Sequence, residues 1–233
     1  LNPGQLRSRG FSRAKVPAHL ELFLDGQPLT LARWPNDDYL TIAAPATVDP
    51  TGDGHGGQLG KLPDGFHYRE DRPCAWRDTS DIWVHGYWAY DWANSYERVA
   101  TFDHDHHHLT TDLPHGLYGF RTGQRFYFLN VLEELDTPGE YWVDTKRGMA
   151  YYWPLTALGD GELLGSLLES PMITMTQVAH LQLSGLTMEA TRGDGIVVSE
   201  GDAVEILGCT LRSIGGNGVT LNEGMNHRIA DCD

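Results

Sequence analysis

Hydrophobic and polar positions in the last quarter of the chain repeat with a spacing of 23. Leu183, Gly185, Leu186, Thr187, Gly193, Gly195, Ile196, Val198 and Gly201 fall on Ile206, Gly208, Cys209, Thr210, Gly216, Gly218, Val219, Leu221 and Gly224. The register reaches back to Ile173 and Met175 and forward to Ile229, Asp231, Cys232 and Asp233. A period in the low twenties predicts a solenoid, either leucine-rich repeats or a parallel β-helix. Short β-branched runs separated by Gly and Asn bends fit the second. Each copy has three alternating runs (Leu181 and Leu183, Leu186 and Met188, Ile196 and Val198 in the first), with aliphatic residues inward and Gln182, Glu205, Thr187 and Thr210 outward. Asp194 and Asn217 take equivalent corners, where short polar side chains bond to local amides.

Before that repeat the texture changes to aromatic-rich strands with conventional turns. Residues 19–24 alternate, Asp25-Gly26 marks a hairpin, and residues 29–33 continue as its partner. Further strands are predicted over 39–43, 82–88, 98–102, 125–129, 141–144 and 150–153, with one helical turn at 130–135 and a loop at 51–60. The predicted fold class is all-β: a right-handed parallel β-helix with an inserted β-rich domain. Residues 1–17 would be an early β-helix segment, 18–156 the insert, and 157–233 the coils. The chain begins at Leu1 without a signal-peptide pattern, which fits a mature form or an internal fragment. It stops at Asp233 inside a third copy, so the expectation is a longer natural chain or association of copies through an open β-helix end.

A net charge of −15 argues against nucleic acid or an anionic membrane as partner, because both need clustered Lys and Arg. No apolar run approaches the ~18 residues of a membrane span. Three cysteines are too few for a disulfide framework; Cys209 and Cys232 would stack as inward thiols, with a disulfide left open. Neither a phosphate-binding loop, a dinucleotide fingerprint, a G-x-S-x-G elbow nor a His-Glu-x-x-His motif is present, and no cofactor is expected.

Three groups of residues carry candidate chemistry. Glycoside hydrolysis needs two carboxyls ~5 Å apart for retention or ~6.5–9.5 Å apart for inversion. Outward residues one copy apart would lie ~4.8 Å apart. Glu200 and Glu223 satisfy that relation, either as an acid pair or as solvated turn carboxylates; Asp231 and Asp233 would point outward from the last strand; Asp194 is an acid or a turn former. Residues 83–92 gather five aromatics around His85 and Asp91. There Trp83 and Tyr87 read as core or as ligand-facing rings, while Trp88 and Trp92, with Tyr90, read as an exposed platform for sugar rings. His104, His106 and His108 alternate, so they would share a strand face and hold a transition metal, or else form a solvated loop with no metal at all.

The stretch Leu31-Ala32-Arg33-Trp34-Pro35-Asn36, the run Trp83-Val84-His85-Gly86-Tyr87-Trp88 with Asp91-Trp92, residues 130–140 (NVLEELDTPGE) with Tyr141-Trp142, and Tyr152-Trp153-Pro154 resemble a known group. It is that of large bacterial secreted right-handed parallel β-helix proteins similar to glycoside hydrolase family 141, which holds fucosidases and xylanases. The resemblance implies a β-rich domain inserted between early coils and a secreted or periplasmic location. It also implies hydrolysis of plant or algal polysaccharide by paired carboxylates on coils later than those present here. A polysaccharide or oligosaccharide is therefore the expected partner. The alternatives are a non-catalytic carbohydrate-binding or structural module, a fragment of a larger enzyme, and, third, a polysaccharide lyase.

Overall fold

The computed structural model describes residues 6–49, 52, 57–155 and 161–233. Half of the predicted loop at 51–60, residues 51 and 53–56, therefore lies outside the described residues. What is described is all-β, broken by short 3-10 turns at Leu62–Asp64, Arg72–Ala75 and Leu132–Glu134. The chain divides into two compact units. One holds Arg7–Lys15 and residues 30–155; the other holds Leu6, Val16–Leu29 and residues 161–233.

The first unit is built on a nine-stranded sheet running Arg33–Trp34, Arg125–Leu129, Trp83–Tyr87, Asn94–Asp103, His108–Thr111, Phe66–His67 and Ala44–Pro45, with Leu40–Thr41 and Arg9–Gly10 as additional edges. Every pairing in it is antiparallel. Arg9–Gly10, expected in an early repeat, instead pairs with Tyr96 and Ser95 of this sheet. Strand alternation sends Leu40, Val84, Val99, Phe126 and Phe128 to one face, where they join Ile42, Phe66, Trp76, Trp88 and Phe120 in a continuous core. Each such side chain removed from water contributes about 1.5–3 kcal/mol. A smaller sheet sets Glu140–Asp144 between Thr30–Leu31 and Met149–Tyr152.

In the second unit, Asp25 and Gly26 adopt positive φ and close a hairpin of Leu22–Leu24 with Gln27–Pro28. Residues 29–33, expected as the partner strand, do not fill that place: Thr30–Leu31 pair with Glu140 and Tyr141, and Arg33–Trp34 with Leu129 and Phe128. That hairpin pairs with Leu163–Gly165, so it belongs with the repeats rather than with the preceding aromatic region. The 23-residue register appears as three parallel ladders. Ile173 pairs with Ile196 and then Val219, Leu183 with Ile206 and then Ile229, and Met188 with Leu211. Met175, Met188, Ile196, Val198, Val204, Ile206 and Cys209 fill the interior. Leu186 and Leu221, expected inside, are exposed. Bend conformations repeat as well: Gln177, Glu200 and Glu223 share a left-handed φ near 60°, at 54°, 60° and 61°. Outside these ladders and the Thr30–Leu31 edge, the sheets are antiparallel. All-β is thus the class that covers the described residues; a parallel β-helix does not describe the first unit.

Candidate functional site

The aromatic segment 83–92 is divided among three environments. Trp83, His85 and Tyr87 point away from the main core, and Val84, Gly86 and Trp88 point into it, because Phe128 sits opposite Val84 and Phe126 opposite Gly86. Trp88, expected on an exposed platform, is 5% exposed. Its ring folds back over Gly86, where a Cβ would stand 2.5 Å from the indole, and its Nε1 donates to Ser95 Oγ at 2.8 Å. Ser95 in turn donates to Glu97, which is ion-paired with Arg13 in a buried network.

Trp92 is the exposed member, at 61%. It stacks on Tyr90 with ring centres 5.6 Å apart and planes at 15°. Phe11 meets it edge-on at 4.9 Å and Tyr118 at 5.7 Å, while Phe11 and Tyr118 stack with each other at 5.7 Å. Arg121 lies 4.9 Å from the Tyr90 ring centre. Leu113 and Leu117, in the same loop as Tyr118, are exposed, and Arg13 anchors that loop through the Pro114 carbonyl. Four interlocked rings hold each other's orientation, so an exposed indole face is presented with little conformational freedom left to lose. Tyr90 and Trp92 are legible in the sequence, whereas Phe11 and Tyr118 are remote from them in the chain and carry no local signal.

His85 and Asp91 lie on the outward side of the sheet. His85 is 7% exposed and packs against Tyr96, Tyr127 and Tyr87 at 4.4, 5.0 and 5.9 Å. Burial pushes its pKa down to about 4; the Asn94 side chain opposes this, and Arg33, Arg9 and Arg125 add to it. Asp91 is exposed and pairs with Arg125 at 2.6 Å.

The predicted carboxylates stand in bends. Glu200 is exposed and accepts from Gln177 Nε2 at 2.7 Å; Glu223 is exposed at the equivalent position one copy on. Asp231 takes the left-handed bend position of Gly185 and Gly208, with φ 55°, so it does not project from a strand as expected. The main chain of Asp233 closes bonds to Cys209 and Leu211. Asp194 is nearly buried and accepts from the Asn217 amide at 2.8 Å, which commits it to the corner.

His104 and His106 lie in the turn before the His108–Thr111 strand, so the three histidines do not share a strand face. His106 bonds Asp103 and His108 bonds the Asp64 carbonyl; among the described residues no three His, Cys, Asp or Glu converge as metal ligands would. Cys209 and Cys232 are free thiols, with Cys209 buried.

A cleft of about 310 Å³ in the first unit is lined by Asp78, Asp81, Asn130, Trp142, Asp144 and Lys146. Hydrogen bonds from Ser80 and Lys146 hold Asp78 down at about 2, and Thr145 and Asn130 bond Asp81. Glu140 is shifted upward by burial, yet it accepts from the Asp136 and Thr137 amides and serves as a turn anchor. Among the described residues no helix is long and apolar enough to cross a membrane.

No protein-family model and no curated protein matches this chain. A solved structure of a protein described as a glycoside hydrolase superposes with a TM-score of 0.63 at 13% identity, over 85% of this chain and 43% of that one. The likeness is one of fold, and the present chain spans less than half of its neighbour.

Proposed function

We propose that this chain is a carbohydrate-binding part of a glycoside-hydrolase-like protein, with the Trp92 cluster as its sugar platform. The observation that carries the reading is the exposed indole of Trp92 held by Tyr90, Phe11 and Tyr118. Flat apolar ring faces pair with the C–H faces of pyranose rings, and such sites are recognised by their exposure and rigidity. The fold likeness to a glycoside hydrolase supports the same substrate class. In this reading the three parallel ladders are the faces of a right-handed parallel β-helix, residues 30–155 are an inserted domain, and the protein acts outside the cytoplasm.

Hydrolysis by the carboxylates present here is the second reading, favoured by the left-handed, solvent-facing stack of Glu200 and Glu223. Affinity electrophoresis against xylans, pectins, fucosylated glycans and β-glucans tests binding, and chromatography of the same mixtures tests turnover. Retention without products supports a binding part. Defined oligosaccharides that vanish in Glu200→Gln, at an unchanged melting temperature, would instead assign catalysis to this stack. Neither retention nor products with any glycan sinks both readings.

A further inference from the structure

The outward face of the long sheet carries a second cluster that the Trp92 platform does not use. One row crosses four strands through Tyr127, His85, Tyr96 and Arg9, in direct register. Three guanidinium groups lie over three tyrosines: Arg33 over Tyr127 at 3.7 Å, Arg125 over Tyr87 at 3.8 Å, and Arg9 over Tyr96 at 5.3 Å. A guanidinium stacked on a ring keeps its N–H donors at its edge, in the plane where a carboxylate or sulfate is gripped.

Among the described residues the positive charge on this face is only partly balanced. Arg125 is paired with Asp91, whereas Arg33 donates to the neutral carbonyls of Pro35 and Asp38. Among the described residues, two buried nitrogens, Arg9 Nη1 and His85 Nδ1, find no hydrogen-bond partner, and His85 itself is 7% exposed. Buried polar atoms are paired in the great majority of cases, so two orphans on one row point to a missing acceptor or donor. In a chain of net charge −15, a face with three arginines stands apart from the rest of the composition.

We infer that this face binds an anionic sugar unit, its oxyanion held among Arg9, Arg33 and Arg125 and its ring laid against the neighbouring tyrosines. The inference rests on the glycan-binding reading and specifies its substrate class as acidic glycan. A uronate carboxylate and a sulfate ester offer the same chemistry to a guanidinium.

The test is titration calorimetry of the 233-residue chain with a uronate oligosaccharide, its carboxyl-reduced neutral counterpart, and a sulfated form of that neutral oligosaccharide. One or both anionic ligands should bind at least tenfold more tightly than the neutral one, and that advantage should shrink as salt is added. A uronate preference identifies the carboxylate as the ligand group, and a sulfate preference identifies the ester. Arg33→Gln or Arg125→Gln should erase the anionic advantage, with Arg33→Lys in between. Melting temperatures verify folding, and Arg125→Gln stands in if Arg33→Gln unfolds. Equal affinity for charged and neutral ligands overturns this inference alone. Absence of binding by all three, together with no retention of any glycan, overturns the glycan reading as well.

Discussion

Trp88 and Trp92 lie four positions apart in one connection, yet the first is buried over Gly86 with its N–H on Ser95 and the second lies flat on Tyr90 in solvent. Their substitutions should therefore separate stability from binding. Trp88→Ala opens a cavity in the core and strands Ser95, at a cost of about 3–5 kcal/mol in chemical denaturation. Trp92→Ala should stay within about 1 kcal/mol of the parent while glycan retention falls. Equal destabilisation by the two would contradict the assignment.

The buried network below Trp88 gives a second expectation. Arg13 and Glu97 have side chains only 4% exposed each, and Glu97 also accepts from Ser95. Removing one partner of a buried pair leaves an uncompensated charge, so Glu97→Gln should cost about 3–5 kcal/mol. Urea unfolding measures it; a loss below about 1 kcal/mol would mean that the pair is solvated.

His85 makes stability depend on pH. Its folded pKa of about 4 lies below the ordinary histidine value of 6.5, so the unfolded chain binds more protons between those limits. Its contribution is complete above about pH 6.5 and is lost as pH falls towards 4, by up to roughly 3 kcal/mol. The difference in unfolding free energy between parent and His85→Gln should slope in that window and flatten on either side. A pH-independent difference would show that His85 is not held neutral.

Two glycines in the bends separate conformational from steric cost. Gly185 has φ +65° with open space where a Cβ would sit, so Gly185→Ala should cost about 1–2 kcal/mol from backbone strain alone. At Gly201, φ +87°, a Cβ would stand 2.1 Å from the Val178 carbonyl, and the alanine variant should lose clearly more. Thermal unfolding of the two variants side by side decides it; equal losses would contradict the bend geometry.

The 23-residue register was legible because the aliphatic alternation and the Gly and Asn bends recur together, and the ladders pair at that offset. The strands at Arg125–Leu129 and Glu140–Asp144 were legible for the same reason of clear alternation. The orientation of residues 83–88 was not, since Trp-Val-His-Gly-Tyr-Trp offers bulky residues to both faces. Gly86 holds the missing information, because only a residue without a Cβ leaves room for the Trp88 ring. The His108–Thr111 strand was hidden by a histidine run that reads as polar loop. The guanidinium–tyrosine face joins Arg9, Arg33, Tyr96 and Tyr127 across strands remote in sequence, and no local pattern announces it.

The most direct test of the account is affinity electrophoresis of the parent chain and Trp92→Ala through gels containing each glycan of the panel. At least one glycan should retard the parent, and Trp92→Ala, folded to the same melting temperature, should lose that affinity at least tenfold. Unretarded parent protein in every gel, or equal retardation of the two proteins, would contradict it.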